Sequence, residues 1–335
     1  MSFEFPILIE VKEVSGHSKN QAPPVVSILV LTFNQASFIQ QCIESLLNQK
    51  TDFNFEIVIG EDDSTDGTRE ICKKLLSQYP EKIKLLLHWE INKIKNSLGN
   101  PTGKFNLMYS IQQCSGKYIA FCEGDDYWTD KFKLQKQVDF LETNAEYVGV
   151  FTDFDKSYEQ TGKMIKDFNS KSKKIIKTSD ISMNHLFSRD IKYLRTLTSI
   201  FRASVLKEFK FYFLHAAGDS QWIFHALQSG KIKYFNYSTG VYRVLNESAS
   251  HSKSFTKKQL FLENYVSFLH VVNSRYALHR REIRHINKMT MMAKLRQEAH
   301  VKKLLSVCLI SIQLILHFHF SRNVLRNIKY AFRKH

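Results

Sequence analysis

The sequence predicts an α/β fold: a mostly parallel, Rossmann-like sheet flanked by helices, followed by a C-terminal helical extension. Three observations carry this expectation. Short aliphatic and β-branched runs alternate with segments of helical spacing between residues 25 and 151, which implies right-handed βαβ units. Acidic residues cluster just after two of those runs, where a parallel sheet binds its ligands. Beyond residue 252 the alternation stops, and the chain becomes basic with helical periodicity.

The first strand is Val25–Leu31, an unbroken apolar run suited to burial on both faces. The turn Thr32-Phe33-Asn34-Gln35 follows. Phe38, Ile39, Cys42, Ile43, Leu46 and Leu47 then recur at helical spacing with polar Gln40, Gln41, Glu44 and Ser45 between them. Phe55–Ile59 reads as strand, Ile71, Leu75, Leu76 and Tyr79 as a helix, and Ile83–Leu87 as strand. The pattern repeats with a helix over Phe105–Cys114, a strand over Lys117–Cys122, a helix over Lys133–Leu141 and a strand over Tyr147–Phe151.

With 335 residues, 43% of them hydrophobic, the chain can bury a large core, which excludes a disordered or collagen-like protein. Its formal charge of +16 is unevenly spread. His251 to His335 holds seventeen Lys/Arg against Glu263, Glu282 and Glu298, a net of +14, leaving +2 for everything before. The five cysteines form no Cys-x-x-Cys pair and no zinc-type cluster, so a reducing cytoplasm is expected. The first 24 residues lack the basic start and apolar run of a secretory signal and read as a tail ending at Pro23-Pro24.

The acids collect in Glu61-Asp62-Asp63-Ser64-Thr65-Asp66-Gly67 and in Glu123-Gly124-Asp125-Asp126-Tyr127-Trp128. Ser64, Thr65 and Asp66 equally suit helix capping. Adjacent carboxylates raise each other's pKa unless a cation compensates, and all-oxygen ligands point to Mg²⁺ or Mn²⁺ rather than zinc. Such an ion usually bridges to substrate phosphates. Neither Gly-x-Gly-x-x-Gly nor a P-loop is present, which weighs against dinucleotide binding and P-loop chemistry.

Val-Ser-Ile-Leu-Val-Leu-Thr-Phe-Asn34, Glu-Ile-Val-Ile-Gly-Glu-Asp-Asp-Ser-Thr-Asp-Gly-Thr68 and Gly-Lys-Tyr-Ile-Ala-Phe-Cys-Glu-Gly-Asp-Asp-Tyr-Trp128, in this order and spacing, resemble the family-2 glycosyltransferases of GT-A fold. The resemblance covers residues 25–252 and implies a donor-binding half over 25–130 and an acceptor half over 131–252. Carried over by position, Thr32, Phe33 and Asn34 would lie beside the nucleotide base, and Asp62 would bind the uracil edge of a UDP-sugar. Asp63 and Glu123 join them on the donor side, with Lys104 and Asn106 in a region of further donor contacts. Asp125 and Asp126 match the Asp-x-Asp-type element that contacts ribose and the diphosphate-bound metal. Leu31 and Phe33 stand where members often have Pro and Tyr.

The same resemblance places the general base at an acid ahead of a helix in the second half, which here is Asp219 in Ala216-Ala-Gly-Asp-Ser-Gln-Trp222. Asp219 also suits a helix N-cap. Direct attack assisted by one base would invert the anomeric centre. Thr196–Arg202 resembles the segment lining the acceptor side, and also suits a buried strand. Where some members have a histidine this chain has Leu245, so that role would fall to Arg243 or His251, or be absent. Trp128 and Trp222 could stack on a sugar ring, or fill the core, as could Phe211 and Tyr212. Asp153 and Asp155, after the strand ending near Phe151, could reach the rim of the site or be ordinary surface acids, and read as surface acids.

The extension, residues 253–335, is expected to form helices over Leu260–Val272, Arg280–Arg296 and Leu304–Phe320. The last is apolar but interrupted, and falls short of the ~20 residues that span a bilayer. Its basic flanks suit peripheral contact with an anionic membrane, at the inner face of the plasma membrane. Alternatively the helices pack on the catalytic domain or on a sister subunit of a homo-oligomer. The expected partners are a nucleotide-sugar donor and a saccharide or lipid-linked acceptor, with no nucleic acid. A polyanion-binding protein would leave the acidic strand ends without a purpose, and a nucleotidyltransferase would need an early Gly-rich, basic triphosphate loop. A catalytically inactive binding module on the same fold stays open as the alternative.

Overall fold

The computed structural model describes residues 11–15, 22–95, 99, 101–171, 180–181, 194–210, 218–245, 255–275, 280–300, 304–318 and 322–332. The chain divides into two compact units, one of residues 1–214 with 218–246, the other of 215–217 with 247–335.

In the first unit the strands run β1 (Lys12–Ser15), β2 (Val26–Thr32), β3 (Phe55–Glu61), β4 (Ile83–Leu87), β5 (Ile94–Lys95), β6 (Pro101–Thr102), β7 (Tyr118–Phe121), β8 (Tyr127–Trp128), β9 (Tyr147–Tyr158), β10 (Lys163–Ile165), β11 (Asp180–Ile181), β12 (Ile200–Arg202) and β13 (Lys231–Val244). The helices are α1 (Ile39–Leu47), α2 (Thr68–Gln78), α3 (Lys104–Gln113), α4 (Lys133–Thr143), α5 (Phe168–Lys171), α6 (Ala203–Lys207) and α7 (Gly218–Ser229). The main sheet has the order β1-β4-β3-β2-β7-β12-β9-β13-β11. β4, β3, β2 and β7 are mutually parallel, as are β9 and β13, while β12 lies antiparallel between β7 and β9. The expected α/β fold with its mostly parallel central sheet is therefore present.

The aliphatic runs form the centre of that sheet because each is buried on both faces. Ile28 pairs with Ile57 on one side and Ala120 on the other, and all three are fully buried. Ile39, Cys42, Ile43 and Leu46 of α1 pack into the same core, as do Leu134, Val138 and Leu141 of α4. Crossovers of this kind bring the carboxyl ends of β2, β3 and β7 to one edge, where the acidic loops emerge.

Lys12–Ser15, within the segment read as a tail, forms the edge strand β1 antiparallel to β4. Asp153, read as a surface acid, is fully buried and accepts hydrogen bonds from the backbone N–H groups of Phe154, Asn169 and Ser170. Backbone donors meet the charge, so the residue type at a strand end does not announce its burial. Asp155 accepts from the N–H of Asp167.

The second unit contains the helices α8 (Phe255–Arg275), α9 (Arg280–His300), α10 (Leu304–Phe318) and α11 (Arg322–Phe332). Met292, Leu295, Val307, Ile310, Leu314, Val324 and Ala331 form its core. Among the described residues no helix is long and apolar enough to cross a membrane.

Candidate active site

The turn after β2 and the loop after β3 are stitched together by side chains from both. Asn34 takes a left-handed backbone (φ 52°), its N–H donating to Ser64 Oγ at 2.9 Å and its Oδ1 accepting from Thr65 N–H at 2.9 Å. Asp66 accepts from Ala36 N–H and from both the N–H and hydroxyl of Thr68, so it starts α2 and anchors the neighbouring turn. Asn34 thus shapes the loop, while Phe33 is left 44% exposed at the site's edge. The ammonium of Lys93 lies 4.2 Å from the Phe33 ring centroid and 3.2 Å from Glu90.

Glu61 is buried and paired with Arg69, which also reaches Asp63 at 3.2 Å. Asp63, with φ 58°, accepts from Glu90 N–H. Asp62 is 7% exposed, its N–H bonded to Thr32 O at 3.0 Å. Burial pushes its carboxyl up to about 6, against the pull of Lys93 and with a further push from Glu61 and Asp63. It is a carboxyl held dry within the field of the same Lys93 that lies over Phe33.

The Glu123–Asp126 turn emerges from β7 against the end of β2, with Gly124 N–H donating to Leu31 O and Asp126 N–H to Glu123 O. A Cβ at Gly124 would lie 2.5 Å from Gln35 Oε1 and 2.8 Å from Thr32 Oγ1, so only glycine lets the turn approach β2 this closely. Thr32 Oγ1 donates to Gln35 Oε1 at 2.8 Å. Asp126, expected as a metal ligand beside Asp125, is 2% exposed and gives Oδ1 to the backbone N–H of Arg243 at 2.8 Å. Asp125 is half-buried, leaving it the more open of the two. Burial raises both carboxyls, with Asp125 and Glu123 adding to the rise at Asp126, and with Arg243 and a hydrogen bond from Gln35 opposing it at Asp125.

Arg243 organises the turn from β13. Its guanidinium donates to Asp125 O and to Gln41 Oε1, lies 3.5 Å from Glu159 and covers the Tyr127 ring at 4.5 Å. Expected on the acceptor side, it acts here on the backbone and side chain of the acid pair.

Glu123 faces the second half of the unit. Thr196 Oγ1 donates to its Oε1, while Oε2 is buried with no hydrogen-bond partner among the described residues. Burial lifts its carboxyl to about 7, countered by the Thr196 bond and reinforced by Asp219 and Asp125. Asp219, in the first turn of α7, is exposed at its surface yet crowded by protein, and that desolvation raises its carboxyl while the charge of Arg195 draws it down. Glu123, Asp125, Asp126 and Asp219 therefore form one electrostatic neighbourhood. Arg195 and Gln35 belong to it too, while Lys93 acts on Asp62 in the other loop, and sequence reasoning missed all three because nothing local marks a loop Arg, Gln or Lys as facing an acid.

Three residues expected to make ligand contacts, Trp128, Trp222 and Asn106, are tied into the core instead. Trp128 is 4% exposed and donates Nε1–H to Leu197 O at 2.7 Å, so it cannot stack on a sugar. Trp222 is 2% exposed and packs on Phe121, Phe151 and Phe201. Both rings fill the core, the commoner fate of an aromatic. Asn106 is buried and donates Nδ2–H to Gly60 O at 2.8 Å, bracing α3 against β3 rather than meeting a ligand. Lys104, half-buried at the start of α3, has its ammonium pushed down to about 8 by burial. His251, Phe211 and Tyr212 lie outside the described residues.

The oxygen-only pair of an open Asp125 beside a fixed Asp126 fits the donor chemistry of Mg²⁺ or Mn²⁺. Among the described residues no three His, Cys, Asp or Glu side chains are arranged as a metal cage.

Residues 27–208 match the model of glycosyl transferase family 2. A segment of 118 residues is 33% identical to the putative teichuronic acid biosynthesis glycosyltransferase TuaG of Bacillus subtilis, covering 35% of this chain and 42% of that protein. The chain spans less than half the length of the curated relatives it matches. The fold resembles TarS 1–349 of S. aureus, solved with UDP-GlcNAc, at TM-score 0.56 and 17% identity over 92% of this chain and 87% of that one. It also resembles the mannosyltransferase PcManGT of Pyrobaculum calidifontis, solved with GDP-Man and Mn²⁺, at TM-score 0.52 and 14% identity over 94% and 88%. The matched span takes in both acidic loops at the strand ends and more than half of the chain, and the chain belongs to glycosyl transferase family 2.

Proposed function

We propose that the protein is an inverting glycosyltransferase that moves a sugar from a UDP-sugar to a hydroxyl of a saccharide or lipid-linked acceptor in surface polysaccharide synthesis. The observation that carries the reading is the convergence of an exposed Phe33, a dry Asp62, the Glu123–Asp126 turn and Asp219 at one edge of the sheet. The names of TuaG and of the UDP-GlcNAc complex of TarS support the donor class and the kind of product.

In this reading Phe33 stacks on the base and Asp62 accepts the uracil N–H, the pairing that repays its desolvation. Glu123 Oε2, without a protein partner, accepts a hydroxyl of ribose or of the donor sugar. Asp125 would hold a Mg²⁺ or Mn²⁺ ion with the donor diphosphate, and the ion supplies charge neutralisation of the leaving group. Asp126 and Arg243 fix the turn that presents Asp125. Asp219 takes the proton of the acceptor hydroxyl as its oxygen bonds to the anomeric carbon and the bond to the diphosphate breaks on the opposite face, which inverts the centre. Arg195 keeps Asp219 ionised until then. The enzyme works in the cytoplasm, with its C-terminal helices peripheral on the inner face of the plasma membrane.

A panel of nucleotide-sugars assayed for hydrolysis and transfer with and without Mn²⁺ tests the reading. Turnover of at least one UDP-sugar, lost in Asp125→Asn and Asp219→Asn, is expected. No turnover of any donor by the wild type, or full activity in both variants, overturns it.

A further inference from the structure

Directly beyond the acidic turn, α1 and the segment from Tyr127 to Lys131 border a cleft open to solvent, with a volume of ≈ 300 Å³. Gln41, Glu44 and Asn48 line it from α1, and Tyr127, Thr129 and Lys131 from the other side. None of these six has a role in the reaction described above except Gln41, which accepts from the Arg243 guanidinium.

Some lining groups are committed to the fold. Ser45 Oγ receives Trp128 N–H at 3.0 Å, and Gln49 donates to Asp130 O and accepts from Leu134 N–H. Others are not. Glu44 uses Oε1 for Gln40 and Gln41 uses Oε1 for Arg243, leaving Glu44 Oε2 and the Gln41 amide nitrogen. Among the described residues, the side chains of Asn48 and Thr129 and the hydroxyl of Tyr127 have no hydrogen-bond partner.

The unused groups select a ligand class. One carboxylate and one ammonium cancel, so the cavity offers nothing for a phosphate. Amides and hydroxyls dominate the rim, and Tyr127 and Trp128 are its only aromatic members, too little apolar wall for an acyl chain. A neutral sugar ring satisfies such a set, since each of its hydroxyls both donates and accepts. The volume stands at the small end of ligand cavities, ~300–1,000 Å³, enough for one ring of a chain that continues into solvent.

We propose that this cavity is a saccharide subsite, apart from the reacting centre, that holds a neutral sugar residue of the acceptor chain. The acceptor part of this statement rests on the glycosyltransferase reading; sugar binding itself does not. Occupancy is coupled to the centre through Gln41, Arg243 and the carbonyl of Asp125.

Saturation-transfer NMR with the methyl glycosides of glucose, galactose, N-acetylglucosamine and N-acetylgalactosamine, each with and without saturating UDP, tests it. At least one glycoside should give a signal that persists under UDP and falls about ten-fold or more in the Glu44→Ala/Asn48→Ala double variant. UDP affinity of that variant, read by calorimetry, should match the wild type. Both positions are exposed, and Asn48→Tyr, which fills the cavity, gives the same readout if the double variant unfolds. No UDP-resistant signal, or one unchanged in a folded variant, overturns the subsite. Failure of the wild type to bind UDP instead counts against the donor reading and leaves the sugar signals to decide the subsite alone.

Discussion

Arg243 donates its backbone N–H to Asp126 Oδ1 at 2.8 Å, joining residues 117 positions apart, and its guanidinium reaches the carbonyl of Asp125. The last long strand of the first unit thus holds the acidic turn that the fourth strand in the parallel run presents. The order of the sheet places β13 two strands from β12, yet β8, the two-residue strand after the turn, pairs directly with β13 through Gly240 and Val241. The turn is clamped from both ends, by β7 before it and β13 after it.

Replacing Arg243 by Met should therefore cost both stability and organisation. Its side chain is 5% exposed, and removal leaves the Asp125 carbonyl and Gln41 without their charged donor. Lost hydrogen bonds to a charged group, at ~1.5–3 kcal/mol each, set a destabilisation of about 3–6 kcal/mol for the two. Urea denaturation measures it. Arg243→Lys should fall between, because an ammonium cannot serve two acceptors in the fork geometry of a guanidinium. Wild-type stability in Arg243→Met would show that the clamp bears no load.

The pairing of Arg195 with Asp219 gives a pH signature. A base must be ionised, and desolvation raises the Asp219 carboxyl while Arg195 lowers it. The acid limb of kcat/KM should then lie above the ordinary carboxylate range. Arg195→Gln removes the lowering charge, so the limb should move to higher pH. Asp219→Asn should reduce kcat by about 10²–10⁴-fold with UDP affinity kept. A limb that stays in place in Arg195→Gln separates the two residues.

Asp62 trades stability for recognition. Its folded carboxyl, pushed up to about 6 by burial, lies above the unfolded value near ~3.9. The folded state therefore holds the proton more tightly, and this group's favourable contribution is full below pH ~4 and lost as pH rises through about 6. Asp62→Asn escapes the cost of a dry carboxylate and should be more stable at pH 7, by on the order of 2–3 kcal/mol. The same variant should bind UDP more weakly, and wild-type UDP affinity should decline as pH falls through 6. Thermal unfolding and calorimetry at pH 5 and 7.5 read both halves. Equal stability of variant and wild type across that range would remove the trade.

Much of this arrangement is legible in the sequence because the parallel strands are apolar on both faces and their carboxyl ends carry acids out of proportion to their length. Ile83–Leu87 is the same in the sequence reading and the structure, and Phe55–Ile59 extends only to Glu61. β1 is not legible, since an edge strand with Lys12 and Glu13 needs a partner on one side only and carries no apolar run. Trp128 and Trp222 are ambiguous by type, as an aromatic suits a core and a sugar face equally, and only the Leu197 carbonyl and the Phe121 ring decide. Arg195 is hidden for a different reason. Its electrostatic partner sits 24 positions away on α7, and no periodicity links a loop cation to the first turn of a helix.

The C-terminal unit carries its own prediction. Its core uses Val307, Ile310 and Leu314 of α10, which leaves Leu309, Ile312 and Leu316 on another face, 55, 53 and 69% exposed. Their spacing of three and four residues makes one stripe. The sequence from Ala299 to His335 holds seven Lys/Arg and no Asp or Glu. An apolar stripe in a purely basic surrounding suits an anionic bilayer, where each Lys or Arg near the surface adds about 1 kcal/mol and the stripe adds its apolar area. The protein should sediment with phosphatidylglycerol vesicles and much less with phosphatidylcholine ones, and salt should weaken the binding. Leu309→Ser/Ile312→Ser/Leu316→Ser should abolish sedimentation while leaving the thermal unfolding of the protein close to wild type, because the three side chains are already in water. Sedimentation unchanged in the triple variant sinks the membrane role of this stripe. A concentration-dependent mass in solution that the triple variant loses would instead make the stripe a contact between copies of the chain.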